Sequence, residues 1–174
     1  MEIVRVLGID PSLRNTGFAI ISYNLETKEL TTSKCGVLKT TSTKHKGLDG
    51  VKEMLSRITE LSTVEGFFDV DDVVVEFPMY FFNADFANYP LLAVAGIAGG
   101  ATTIFGVNRT LLVTSTQWSQ SKKKEVRQKK TVATLGDIET WNFMVKPKKG
   151  DLEHIYDAAG MALWFINIKY AQAF

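Results

Sequence analysis

Three acids and one histidine stand at positions from which this chain can bring them together, and the chemistry they share is the binding of divalent cations. Asp10 ends the run Ile3-Val4-Arg5-Val6-Leu7-Gly8-Ile9, which reads as a buried strand. Glu76 ends the β-branched run Val73-Val74-Val75. His154 and Asp157 lie three apart in a helical segment and so share a face. A carboxylate on a central strand is costly to bury unless it is paired or bound to a metal. Carboxylate oxygens and imidazole nitrogens are common ligands of divalent cations. Each residue alone also admits a plainer role. Asp10 can cap the turn that follows it. Glu76, two residues before Pro78, can simply end an edge strand, and His154 can be an ordinary core or surface histidine.

The elements that must position these residues are readable in outline. Asn15-Thr16-Gly17 supplies turn chemistry, and Phe18 to Ser22 returns as a hairpin partner, so the hairpin spans about Val4 to Leu25. A third strand is expected over Thr31 to Leu38, and a helix over Gly47 to Leu61 with Val51, Met54, Leu55, Ile58 and Leu61 on one face. Then come a strand at Val73 to Glu76, an irregular aromatic stretch at Phe77 to Asn88, and a small-residue helix at Tyr89 to Phe105. A short strand at Leu111 to Thr114 and a basic helical segment at Ser121 to Leu135 lead to a closing helix at Asp151 to Tyr170. Ile155, Ala158, Ala159, Ala162 and Leu163 repeat at helical spacing toward the core. Asp151 suits the N-cap, Glu153 an exposed position, and Trp118 and Trp141 packing roles. A hairpin followed by alternating strands and helices implies an α/β fold, a mixed central sheet flanked by α-helices, in one domain over residues 1–174.

Composition narrows the class. The 174 residues suffice for one domain with a sizeable core. No run is long or apolar enough for a transmembrane helix, and the chain opens directly on a strand with no signal peptide. Cys35 is the single cysteine, which excludes an internal disulfide and a cysteine-based zinc site. The expected compartment is a reducing cytoplasm, a host's cytoplasm for a viral gene. Net charge is only +1, but it is polarised. Between Trp118 and Lys149 nine basic residues stand against three acidic ones, an excess of six that leaves the remainder about −5. Lys122, Lys123, Lys124, Arg127, Lys129 and Lys130 form the densest part. Such a patch attracts phosphate backbones, although a solvated helix face is the common fate of a charge run.

Gly8-Ile9-Asp10-Pro11 with Thr16-Gly17-Phe18, then Val75-Glu76, then His154-Ile155-Tyr156-Asp157-Ala158-Ala159 resemble the RuvC family of Holliday junction resolvases, within the RNase H-like nucleases. The resemblance spans nearly the whole chain. Three departures stand out: Ser12-Leu13 replaces the usual Gly-Ser, His154 replaces an acid as it does in some members, and Met79 replaces a Phe that stacks on DNA bases. The resemblance implies a structure-selective endonuclease that uses two Mg²⁺ ions ~4 Å apart to activate water and stabilise the leaving oxygen of a phosphodiester. Asp10 would bridge the ions, Glu76 and Asp157 would bind one each, and His154 would add a nitrogen ligand or position water. The imidazole would make Mn²⁺ more acceptable than in an all-acid site. The basic run would hold phosphates, and Met79, Tyr80, Phe81 and Phe82 would form a core, a dimer interface or a base-stacking wedge.

The implied partner is branched DNA, above all a four-way junction, met by a homodimer with no organic cofactor and no membrane. Low net charge and the altered wedge position leave room for looser selectivity toward branched DNA, as suits a phage enzyme clearing replicated DNA. Competing readings are an RNase H-like nuclease acting on RNA or RNA–DNA hybrid, a branched-DNA-binding module without catalysis, and an actin-like ATPase. The last requires two lobes, for which 174 residues are too few.

Overall fold

The computed structural model describes residues 2–12, 15–39, 59–77, 89–120 and 123–171, together with positions 52 and 56. Five strands form one mixed sheet in the order β3-β2-β1-β4-β5. The strands are β1 (Ile3–Asp10), β2 (Asn15–Asn24), β3 (Leu30–Lys39), β4 (Asp72–Glu76) and β5 (Thr110–Val113). The first three pair antiparallel, whereas β4 and β5 add in parallel to β1. Helices α1 (Tyr89–Phe105), α2 (Ser115–Ser119), α3 (Lys124–Leu135) and α4 (Leu152–Ile166) complete the described regular elements, along with short 3₁₀ turns. The single-domain α/β architecture expected above is the one observed. The helix expected over Gly47 to Leu61 lies largely outside the described residues; its positions 52, 56 and 59–61 are helical.

Strand periodicity decides which side chains meet α4, because successive residues point to opposite faces of a sheet. Val4 and Val6 of β1, Ala19, Ile21 and Tyr23 of β2, and Val74 of β4 pack with Ile155, Ala158, Ala159 and Ala162 of α4. Leu7, Ile9, Ile20, Val73 and Val75 pack on the other face with Ile97, Ala98 and Ala101 of α1. Both faces are covered, which explains the nearly continuous apolar runs of β1 and β4. By the same parity Asp10 continues the Val4–Val6–Gly8 row and Glu76 the Val74 row, so both acids fall on the α4 side.

Two glycines set the distance of that helix from the sheet. A Cβ on Gly8 would lie 2.0 Å from the Ala158 carbonyl oxygen, and one on Gly17 would lie 2.2 Å from that of His154. Gly17 pairs across the hairpin with Asp10. The helix backbone therefore rests on bare strand backbone next to the first candidate acid. At its far end α4 runs into a π-helical turn, Asn167–Ala171, earlier than the expected end at Tyr170. There Asp72, only 2 % exposed, accepts from Lys169 Nζ at 2.7 and 2.8 Å and from the Tyr170 hydroxyl.

Candidate active site

The strand ends deliver Asp10 and Glu76 side by side, because β1 and β4 are adjacent and parallel. Helix α4 crosses them and supplies His154 and Asp157, one helical turn apart. His154 Nδ1 lies 3.0 Å from Asp10 Oδ2, and its Nε2 lies 3.9 Å from Glu153 Oε1. Glu76 Oε2 accepts from Trp118 Nε1 at 2.9 Å. Asp157 Oδ1 accepts from Arg127 Nη2 at 3.3 Å, and its Oδ2 faces Lys124 Nζ at 3.6 Å. The structure thus brings together all four residues named from sequence as possible cation ligands.

Burial dominates the electrostatics of Asp10 and Glu76, with repulsion between acids added to it. Burial pushes the Asp10 carboxyl above its usual range, against the pull of the His154 hydrogen bond, and the Asp157 charge pushes it further. Burial, then repulsion from Asp10, raises Glu76 to about 7, against the Trp118 hydrogen bond. The bond to Asp10 raises the pKa of His154. Hard oxygen donors with one imidazole suit Mg²⁺ or Mn²⁺, and a cation bound there would favour the charged form of the buried carboxylates. Among the described residues no three such side chains are gathered into a closed ligand cluster. Glu76 is turned onto Trp118 and Asp157 onto Arg127 and Lys124, so protein groups hold the acids in this state.

The basic segment divides by helix face. In α3, Lys124 and Arg127 turn inward to the acids, and Lys124 also pairs with Glu153 at 2.9 Å. Lys123, Lys129 and Lys130 are exposed. Lys122 and the stretch Met79, Tyr80, Phe81 and Phe82 lie outside the described residues. Asp151 stands at the N-cap position of α4 but makes no side-chain cap bond; its carboxylate accepts from Lys39 Nζ at 2.7 Å and from the Lys148 backbone N–H at 3.0 Å. Trp141 packs against Phe143 and Tyr156, as a packing residue should. Trp118 does more than pack, and sequence reasoning missed it. The signal was present in Thr114-Ser115-Thr116-Gln117, a capping-box pattern that starts α2 directly after β5.

Comparison with known proteins follows the same lines. Among curated proteins none matches the chain by sequence. RuvC of Thermus thermophilus in complex with a Holliday junction substrate superposes with a TM-score of 0.67 at 22 % identity, covering 97 % of this chain and 95 % of that one. The fowlpox virus resolvase in complex with Holliday junction DNA gives a TM-score of 0.59 at 13 % identity, covering 95 % and 98 %. The yeast mitochondrial Holliday junction resolvase Ydc2 gives 0.56 at 20 % identity, covering 95 % and 80 %. At these identities the likeness establishes a shared fold, the RNase H-like one. The family model for crossover junction endodeoxyribonuclease RuvC matches residues 6–147, a span that includes Asp10, Glu76 and α3 and stops before His154. Because that match covers most of the sequence, the chain belongs to the crossover junction endodeoxyribonuclease RuvC family of Holliday junction endonucleases.

Proposed function

We propose that this protein is a divalent-cation-dependent endonuclease that nicks opposed strands of four-way or otherwise branched DNA. The observation that carries the reading is the convergence of Asp10, Glu76, His154 and Asp157 from β1, β4 and α4 onto one face of the sheet, with their charges acting on one another. Two Mg²⁺ ions, or Mn²⁺ in their place, supply activation of water and neutralisation of the leaving oxygen when bound. Asp10, whose charge acts on Glu76 and which feels that of Asp157, would help to hold both ions. Glu76 and Asp157 would each hold one, and His154, fixed by its bond to Asp10, would add a nitrogen ligand or orient water.

The chain's own groups do the remaining work. Exposed Lys123, Lys129 and Lys130, together with Lys122 of the same basic run, would grip phosphates and would carry little base specificity. Lys124 and Arg127, turned to the acids, would meet the phosphates closest to the site. Met79, Tyr80, Phe81 and Phe82, which follow Glu76 in the sequence, are proposed as a stacking surface for unpaired bases. A two-fold homodimer would present two such sites to the two-fold junction. The deciding experiment incubates pure protein with labelled four-way junction, flap, linear duplex and RNA–DNA hybrid in Mg²⁺, Mn²⁺ and EDTA. Paired nicks in the junction that require the cation support the reading. Preferential cutting of the hybrid, or cleavage in EDTA, overturns it.

A further inference from the structure

Glu76 and Asp157 belong to different elements, and no backbone hydrogen bond in their strand or helix sets the separation of their carboxylates. Trp118 and Arg127 span the gap. The indole Nε1 donates to Glu76 Oε2 at 2.9 Å; the Arg127 guanidinium lies over the same indole, 4.6 Å from a ring centroid; its Nη2 donates to Asp157 Oδ1 at 3.3 Å. Trp118 is 5 % exposed. Carboxylate, indole, guanidinium and carboxylate thus form one continuous contact path. It leaves Glu76 Oε1 outside the Trp118 bond.

Local structure holds the indole still. Glu76 pairs with Val113, the last residue of β5, and the Phe77 N–H bonds back to the Val113 carbonyl at 2.7 Å. Thr114 then starts α2 with reciprocal bonds to Gln117, so the chain turns back and sets Trp118 beside Glu76. On the other side, a Cβ on Gly160 of α4 would lie 3.2 Å from Trp118 Cζ3 and 2.9 Å from Thr131 Oγ1, so the ring sits against bare helix backbone. Trp141 makes a telling contrast. It is equally buried, yet its Nε1 has no hydrogen-bond partner among the described residues. Packing alone therefore does not account for a Trp118 N–H aimed at an acid.

We propose that Trp118, backed by Arg127, is a positioning residue that fixes Glu76 relative to Asp157 so that both carboxylates meet the cations together. The proposal rests on the cation-dependent nuclease reading above. Partners that orient a ligating carboxylate are worth ~10–100-fold in metal affinity or activity. Trp118→Phe keeps a ring for Arg127 and Gly160 to pack on and removes only the N–H donor and part of the ring.

The test is Mn²⁺ binding to the protein without DNA, read from the free-ion electron paramagnetic resonance signal. Wild type, Trp118→Phe, Glu76→Gln and the double variant are compared. Trp118→Phe is expected to bind Mn²⁺ ~10-fold more weakly, with little change in unfolding midpoint in EDTA, and to add nothing further in the Glu76→Gln background. With junction DNA the half-saturating Mn²⁺ concentration should rise, while the rate at saturation stays near that of wild type. Unchanged or tighter binding in Trp118→Phe overturns the proposal, as does an equal further loss in the Glu76→Gln background. Arg127→Lys, which keeps charge but loses the planar fork, guards against a Trp118 variant that does not fold. It should weaken Mn²⁺ binding in the same direction, and unchanged binding there overturns the proposal. A wild type that binds no Mn²⁺ overturns the nuclease reading itself, a result distinct from failure of Trp118 alone.

Discussion

A carboxylate held away from water either takes up a proton more readily or destabilises the chain around it, and burial acts in this way on both Asp10 and Glu76. Asp10→Asn keeps an oxygen to accept from His154 and removes the central charge. Cleavage should fall by at least ~10²-fold, in the range seen when a charge-stabilising group is lost. Junction affinity in EDTA or Ca²⁺, measured by gel shift, should hold, because it rests on phosphate contacts. Glu76 supplies the pH dependence. Its folded pKa of about 7 exceeds the ~4.3 of an unfolded glutamate. Between those values the folded chain holds a proton that the unfolded chain has lost, so this contribution is complete below the unfolded pKa and fades as pH rises through the folded one. Denaturant titration of the cation-free protein should show stability falling from about pH 5 to about pH 7.5. Glu76→Gln should flatten that fall, and Mn²⁺ should offset it in wild type alone.

At the scale of elements, α4 is located by what is missing beneath it. Gly17→Ala puts a methyl group into the His154 carbonyl, a backbone atom that can move only with the helix. Overpacking of this kind costs ~1–3 kcal/mol, to be read from urea unfolding, and cleavage should fall further than that loss of stability explains because His154 leaves Asp10. Helix α3 calls for a different experiment. Replacing exposed Lys123, Lys129 and Lys130 with Ala should reduce the log–log salt slope of junction binding by up to ~0.9 per lost phosphate contact. These elements also show what could be read in advance. The placement of Asp10 and Glu76 at strand ends and of His154 and Asp157 on one helix face was legible because strand alternation and helical spacing are local rules. Trp118 and Glu76, 42 residues apart, and Asp72 and Lys169, 97 apart, meet only through topology. The basic run showed its charge but not that Arg127 and Lys124 face inward, since that depends on how α3 packs against α4.

At the scale of the molecule, the proposed function would rest on charge polarity and two-fold symmetry. No helix among the described residues is long and apolar enough to cross a membrane. A four-way junction has two strands to cut, and each proposed site is complete within one chain, so a homodimer would cut them independently. Mixed dimers of wild type and Asp10→Asn, separated by differential tags, should leave junctions with a single nick on denaturing gels. Paired nicks from purified mixed dimers would show that one site serves both strands.

Strand β4 bears an acid near each end, on the same face and under the same helix. Asp72 is met by an ammonium and a phenol from the π-helical turn that follows α4, both supplied by the chain. Glu76, four residues on, receives a neutral indole N–H and the distant charge of Arg127. The fold therefore possesses a way to satisfy a buried carboxylate internally and applies it at one end only. One end of the strand behaves as a rivet; the other, on the proposed reading, would be a socket. A lysine able to reach Glu76 as Lys169 reaches Asp72 would convert the socket into a second rivet, giving a sturdier protein with nothing left to recruit from solution.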